Sequence, residues 1–460
     1  MKISTSKVLL LALFPLMGTS LLATEKLDAS QNETLDSNHA YEKVQPSDKT
    51  EGLELSDGWK VTGDMRAGYV NYDYSNSPYD FDPDTNKGHK NSKGFYLIPK
   101  VSLTSPKYNG FYGKITGAGV TDFGINDPFY ESRTFAFGAD GESYAILQEA
   151  YLAYQKDGHK FLIGAEELST PMIDADDWYL LANSFQVAYY ANTSIDNILL
   201  AGGYFYKMAG VWDSGADGAT YNSMADASFV DTRDKANASD GGVYAGVFQY
   251  SDELHNLQVW NYYAPDLYNT FFAQYDYTQK LDGFSYDAGA QFINFKEVGA
   301  LADNDYTHID YSIFSLRLDG KFDNGFDFAT GATFFTDGEG TGATLGAWGG
   351  YPFFANGMIF HFFESGSLQN TNSYKAQLGY DFSNVGIDNL WGGVRYTYFD
   401  LDPTYSKTAS GLDQDDMSLL GLKLSYNHES GVYFTGTYEY VDLDNEPDLS
   451  AFRLIGGYKF

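Results

Sequence analysis

The sequence contains no cysteine. That excludes disulfides, a thiolate metal site and a lipid-bearing N-terminal cysteine. Proline is scarce, with 12 in 460 residues. Basic residues are few: 29 Lys and Arg stand against 62 Asp and Glu, a net charge of −33. Nucleic acid, which is held by basic surface, is therefore excluded as a partner. Long apolar runs are also missing. Val8–Phe14 is apolar but short; it follows Lys2 and Lys7 and precedes the small residues of "GTSLLA". This is the layout of an export signal, residues 1–23, cleaved after Ala23, with Leu21 the less usual residue two positions before it. Beyond it no stretch is long enough for a transmembrane helix. What the chain has instead is 39 Tyr, 34 Phe and 48 Gly, a composition suited to strands and tight bends.

Residues 24–57 are polar and acidic, without period, and read as a disordered segment. From Gly58 to Phe460 the pattern has a period of two. "WKVTGDMRAGY" places Trp59, Val61, Met65 and Tyr69 on one face, with Lys60, Thr62, Asp64 and Arg66 on the other. "FDFATGATF", "YKAQLGYDF", "LWGGVRYTY" and "VYFTGTYEY" repeat it. A soluble antiparallel sheet shows the same alternation. Three features separate the two cases: aromatic residues cluster at strand ends, the segments are about ten residues long, and short and long connections alternate. The short ones are "SPKYNG", "KDGH", "TSIDN", "SDELHN", "KLDG", "DNG", "SNVGIDN" and "HESG". The long ones include Val70 to Lys93, Thr121 to Ser143, Met208 to Gly241 and Thr336 to Ser373. The expectation is an all-β, antiparallel outer-membrane barrel of about 18 strands, with short periplasmic turns and long external loops. Backbone groups in lipid must all be paired, so the sheet must close. The last strand, "FRLIGGYKF", is expected to pair with "WKVTGDMRAGY", and Phe460 resembles the terminal signal read by the barrel assembly machinery.

The middle of the chain resembles the OprD porin family, especially its epsilonproteobacterial branch. The resemblance rests on "FLIGAEELSTPMIDADDWYLLANSFQVAYYANTSIDNILLAGGY", with Thr170, Pro171, Asp176, Asp177 and the turn Ser194–Asn197, and on "LQVWNYYAPDLYNTFFAQYDY" and "GAWGGYPFF". It implies a third loop folded into the pore and a ladder of basic residues that passes carboxylate solutes. The family commonly follows Asp-Asp with an Arg-containing segment and a Pro; here "WYLLANSF" stands there, so the constriction chemistry differs.

The face opposite the apolar one is assigned to the lumen. It carries Lys60, Arg66, Lys100, Lys114, Arg317, Lys321, Lys375, Arg395, Lys423, Arg453 and Lys459, beside fewer acids: Asp64, Asp287, Asp319, Asp327, Asp381 and Glu439. Two readings of these cations stand. They form a ladder that draws anions, or they pair with wall acids and brace the barrel. The third loop, Glu166 to Ser184, holds Glu166, Glu167, Asp174, Asp176, Asp177, Trp178 and Tyr179. By the family resemblance it folds inward and opposes the basic wall. "GAWGGYPFF", Gly346 to Phe354, is too apolar for a solvated loop tip and is expected inside the mouth.

No cofactor and no metal site is expected. "DFDPDTNKG", Asp80 to Gly88, has the spaced carboxylates of a calcium loop, but lacks its central glycine and has Lys93 in place of the closing glutamate. The seven His show no metal spacing, and no nucleophile elbow is present. The sequence thus points to a channel for small solutes in the bacterial outer membrane, bordered by lipid and lipopolysaccharide, as a monomer or trimer. A structural or adhesive barrel is the alternative, and nothing supports an enzyme.

Overall fold

The computed structural model describes residues 52–73, 91–127, 136–137, 141–177, 180–210, 218–230, 241–303, 307–360, 367–406, 413–445 and 448–460. The signal segment, nearly all of residues 24–57, the calcium-like loop and Trp178–Tyr179 lie outside them. The described backbone begins at Gly52, ahead of the expected start at Gly58; Leu53 and Glu54 pair back onto Val61 and Lys60.

Eighteen long strands follow one another. The first six are β1 (Lys60–Asp73), β2 (Asn91–Thr104), β3 (Phe111–Val120), β4 (Tyr144–Lys156), β5 (His159–Glu166) and β6 (Ser184–Ile195). Then come β7 (Ile198–Ala209), β8 (Val243–Ser251), β9 (His255–Ala264), β10 (Tyr268–Leu281), β11 (Phe284–Glu297) and β12 (Asp310–Phe322). The last are β13 (Phe326–Phe335), β14 (Asn372–Asp381), β15 (Leu390–Asp400), β16 (Asp416–Asn427), β17 (Val432–Leu443) and β18 (Leu449–Lys459). Each pairs antiparallel with its successor, and β18 closes on β1 from Asp64↔Lys459 to Asp73↔Ser450. Asn222–Ser223 adds a short extra pairing at the end of β7.

The eight short connections of the sequence join β2–β3, β4–β5 and so on to β16–β17, all at one end. Asp157 and Gly158 between β4 and β5 both have positive φ, 52° and 81°, the backbone a two-residue hairpin needs. A Cβ on Gly158 would also sit 2.7 Å from the Ser194 backbone. Aromatic side chains gather at this end: Phe284–Phe322, Phe326–Tyr380, Tyr426–Phe434 and Phe111–Tyr154 have ring centres 4.6–5.4 Å apart. That is one girdle of a membrane barrel.

The sheet is apolar outside and polar inside. In β12, Leu316 is 56% exposed while Asp319 on the opposite face is 0% exposed. In water such an outer surface would be costly; in lipid it is the stable arrangement. Among the described residues no helix is long and apolar enough to cross a membrane, and strands make the crossing. Part of the interior is filled. Leu168, Met172 and Ile173 of the third external loop, Met224 of the fourth and Leu345, Trp348 and Phe353 of the seventh pack with Tyr262, Tyr268, Phe295, Tyr311 and Phe335 of the wall.

Candidate functional site

The third external loop, residues 167–183, enters the barrel through a tight turn. Thr170 receives the Ile173 amide on its hydroxyl (3.0 Å) and donates that hydroxyl to the Ile173 carbonyl (2.9 Å), with Pro171 fixing the bend between them. Beyond the turn the loop lies against β4, β2, β1 and β18. Gln148 donates to the Ala182 carbonyl (2.8 Å), and Lys100 pairs with Glu167. Arg66 binds the Asp177 carboxylate (2.6 Å) and donates to the Leu180 carbonyl (2.8 Å). Arg453 reaches the Asp177 carbonyl (3.3 Å). Leu180 sits over Gly68, where a Cβ would come within 2.9 Å of its side chain.

The seventh external loop, residues 336–371, meets the third at "GAWGGYPFF". The Asp174 amide donates to the Trp348 carbonyl (2.9 Å), and Ile173 bridges to Trp348 and Gly349. Gly349 has φ +90°, and its Cβ would lie 2.4 Å from the Asp174 carbonyl; one on Gly350 would lie 2.4 Å from that of Pro171. These two positions admit only glycine because two backbones cross there. Trp348 donates its indole N–H to Met224 O of the fourth loop (2.9 Å) and stacks on Tyr268, ring centres 5.2 Å apart. The hydroxyl of Tyr221, also of the fourth loop, lies 3.0 Å from both the Gln148 carbonyl and the Ser184 hydroxyl, and burial pushes its phenol up to about 12.

From Pro352 to Phe360 the seventh loop becomes a strap laid across the strands. Gln291 of β11 donates to Pro352 O (2.7 Å). Phe354 passes over Gly331 of β13, and Ala355 is held between the hydroxyls of Thr333 (3.2 Å) and Ser373 on β14 (2.9 Å). On β15, Thr397 binds Asn356 O (2.9 Å) and Arg395 binds Gly357 O (3.1 Å). Met358 lies over Gly421 of β16. The Glu439 carboxylate of β17 accepts from the amides of Met358 (2.5 Å), Ile359 (2.6 Å) and Phe360 (2.7 Å), and Phe360 approaches Tyr72 of β1 at 6.2 Å between ring centres.

The remaining expected site residues fall as follows. Lys114 pairs with Glu149 (2.6 Å), not with the third-loop aspartates. Arg317 is gripped by Asp276 (2.8 Å) and Asp287 (2.6 Å), with Asp319 at 3.7 Å, beneath the Phe354 ring at 5.1 Å. Lys375 and Arg395 are buried on the inner wall, and Lys423 is partly exposed on it. Asp174 and Asp176 are buried within the third loop. Phe460 lies at the seam on Gly63: their backbones exchange hydrogen bonds of 2.9 and 3.3 Å, and a Cβ on Gly63 would come 1.9 Å from the ring.

Among the described residues, two buried strand acids are absent from the expected set, Glu149 and Asp276. At Thr116/Gly117 the β3–β4 register shifts, so Gln148 and Glu149, adjacent in sequence, are both buried inside. A strict period of two places only one of them inward. Asp276 was readable, since "FFAQYDY" alternates Phe272, Gln274 and Asp276 against Phe271, Ala273 and Tyr275. Nor did the sequence show that Glu439 grips a loop. Among the described residues no group of three or more His, Asp or Glu is placed to hold a metal ion.

The model of the outer membrane porin family OprD matches residues 158–431, more than half of the chain. A BenF-like porin from Pseudomonas fluorescens Pf-5 is similar in structure, with a TM-score of 0.69 and 16% identity over 89% of this chain and 100% of that one. Pseudomonas aeruginosa OpdK, crystallised with vanillate, gives 0.68 and 15% over 89% and 100%. OccK2 (OpdF) of the same organism, in complex with glucuronate, gives 0.66 and 16% over 88% and 97%. At these identities the likeness is one of fold. No curated protein sequence matches the chain.

Proposed function

The chain belongs to the OprD family of outer membrane porins, and from that premise we propose that it passes small hydrophilic solutes bearing a carboxylate by diffusion through a loop-lined pore. It is a porin of the outer membrane and not an enzyme. The observation that carries the reading is the pair of inward loops: the third is held on the wall by Arg66, Lys100 and Arg453 and the seventh by Arg395, all of them buried, while Lys423 of the same wall stays partly exposed. A solute carboxylate meets Lys423 in a confined, partly desolvated space, where charge recognition is stronger than in bulk water. The vanillate and glucuronate held by two structural relatives both carry carboxylates. Lys375, Arg395, Lys423 and Arg453 are the ladder candidates along β14 to β18, and the third loop with Asp174, Asp176 and Asp177 forms the constriction beside them. The motif "STPMIDADD" supports the epsilonproteobacterial branch, and Phe460 serves as the signal to the assembly machinery.

Planar-bilayer recording of the purified protein tests this. Stepwise conductance with a reversal potential displaced toward anions in a salt gradient, and a current reduced by aromatic or sugar carboxylates more than by their neutral amides, is the expected result. A protein that inserts and does not conduct is a structural or adhesive barrel instead.

A further inference from the structure

Glu439 is an acid on the stretch of inner wall where the ladder cations Arg395, Lys423 and Arg453 stand. It is fully buried, and both its oxygens are taken by the strap: Oε1 by the Met358 amide, Oε2 by those of Ile359 and Phe360. A side chain so enclosed is not a solute contact; whatever it does for permeation, it does through the loop. We infer that Glu439 is the positioning residue of the constriction, fixing how far the seventh-loop strap stands from the wall and so setting the bore and the largest solute admitted. This rests on the channel reading above.

Three observations converge on it. Amides of three successive residues point at one carboxylate, a concave arrangement of donors that favours a negative charge. The wall beneath is cut to receive the strap: a Cβ on Gly421 would come 2.6 Å from the Met358 sulfur and 3.4 Å from the Glu439 carboxylate. Gln291, Thr333, Ser373, Thr397 and Arg395 tie the strap's backbone along its course, and Glu439 takes three successive amides at the far end of the run.

The test compares full-length wild type with Glu439→Gln and Glu439→Ala in planar bilayers and in liposome swelling with solutes of graded size. Glu439→Gln keeps the shape but turns an amide N–H toward the strap's own N–H groups. Both variants are expected to conduct about two-fold more, with added open-channel noise and a larger size limit. Glu439→Asp, which keeps the carboxylate on a shorter stem, is expected to fall between them and wild type. A changed reversal potential with conductance, noise and size limit unchanged would show a fixed charge only, and would overturn the inference. Because the chain lacks cysteine, Met358→Cys with Gly421→Cys in the Glu439→Gln background supplies the second arm. Its oxidation is expected to restore wild-type conductance, and reductant to undo that; a disulfide that forms without narrowing the pore also overturns the inference. A wild-type protein that does not conduct overturns the channel reading first, and this one with it.

Discussion

Glu149 shows what one extra residue in a strand achieves. The irregular register between β3 and β4 turns it inward beside Gln148, where it meets Lys114 at 2.6 Å and the Thr116 hydroxyl at 2.6 Å. Removing one partner of a buried ion pair strands the other, at about 3–5 kcal/mol. Glu149→Ala should therefore lower the barrel's stability by about 3 kcal/mol, read as a lower urea midpoint and a lower temperature for the heat-induced shift in gel mobility, while Lys114→Met with Glu149→Leu recovers most of it. Lys423 asks a different question. It lies on the inner wall between the outward Leu422 and Leu424, so Lys423→Glu is expected to move the reversal potential toward cations with folding intact; an unmoved potential removes it from the ladder. Arg395→Glu is a poorer probe, because it sets a carboxylate against the Gly357 carbonyl that Arg395 now binds. The sequence revealed the inward side of Lys100, Lys114, Arg395 and Lys423 because each sits in an undisturbed alternation. It concealed Glu149 because a bulge breaks the only rule available, and it left the acids around the cations undercounted.

At the level of elements, the two inward loops behave as one unit. Deleting Ile173–Leu180 takes away the Asp177–Arg66 pair and the Asp174–Trp348 bond together. Single-channel conductance should rise, and by more than in Trp348→Ala, which removes the indole donor and the stack on Tyr268 but keeps the backbone crossing. Equal conductance in the deletion variant and wild type would leave the seventh loop alone to narrow the pore. The motif "GAWGGYPFF" announced burial through its composition, and the glycines at the crossing explain its spelling. The strap after it was not legible. "NGMIF" has neither period nor charge, and the contacts that hold it, such as Met358 to Glu439, join residues about eighty apart in sequence. No local pattern encodes a path set by side chains on other strands.

On the scale of the whole molecule the sequence was read most easily, since a closed barrel repeats one instruction: alternate, turn, alternate. The eight short turns each fall between the expected strands. Closure is a matter of one seam, and Gly63 is its tightest point. Gly63→Val would drive a side chain into the Phe460 ring; the yield of heat-modifiable barrel should fall sharply, whereas the same change at Gly117, with open space around its Cβ position, should be tolerated. The strap has a bearing on time as well as on shape. Its anchors belong to β11, β13, β14, β15 and β17, so it can settle only after the seven strands from β11 to β17 have paired. Until then the third loop, tied to β1, β2, β4 and β18, is the one of the two inward loops that can narrow the pore.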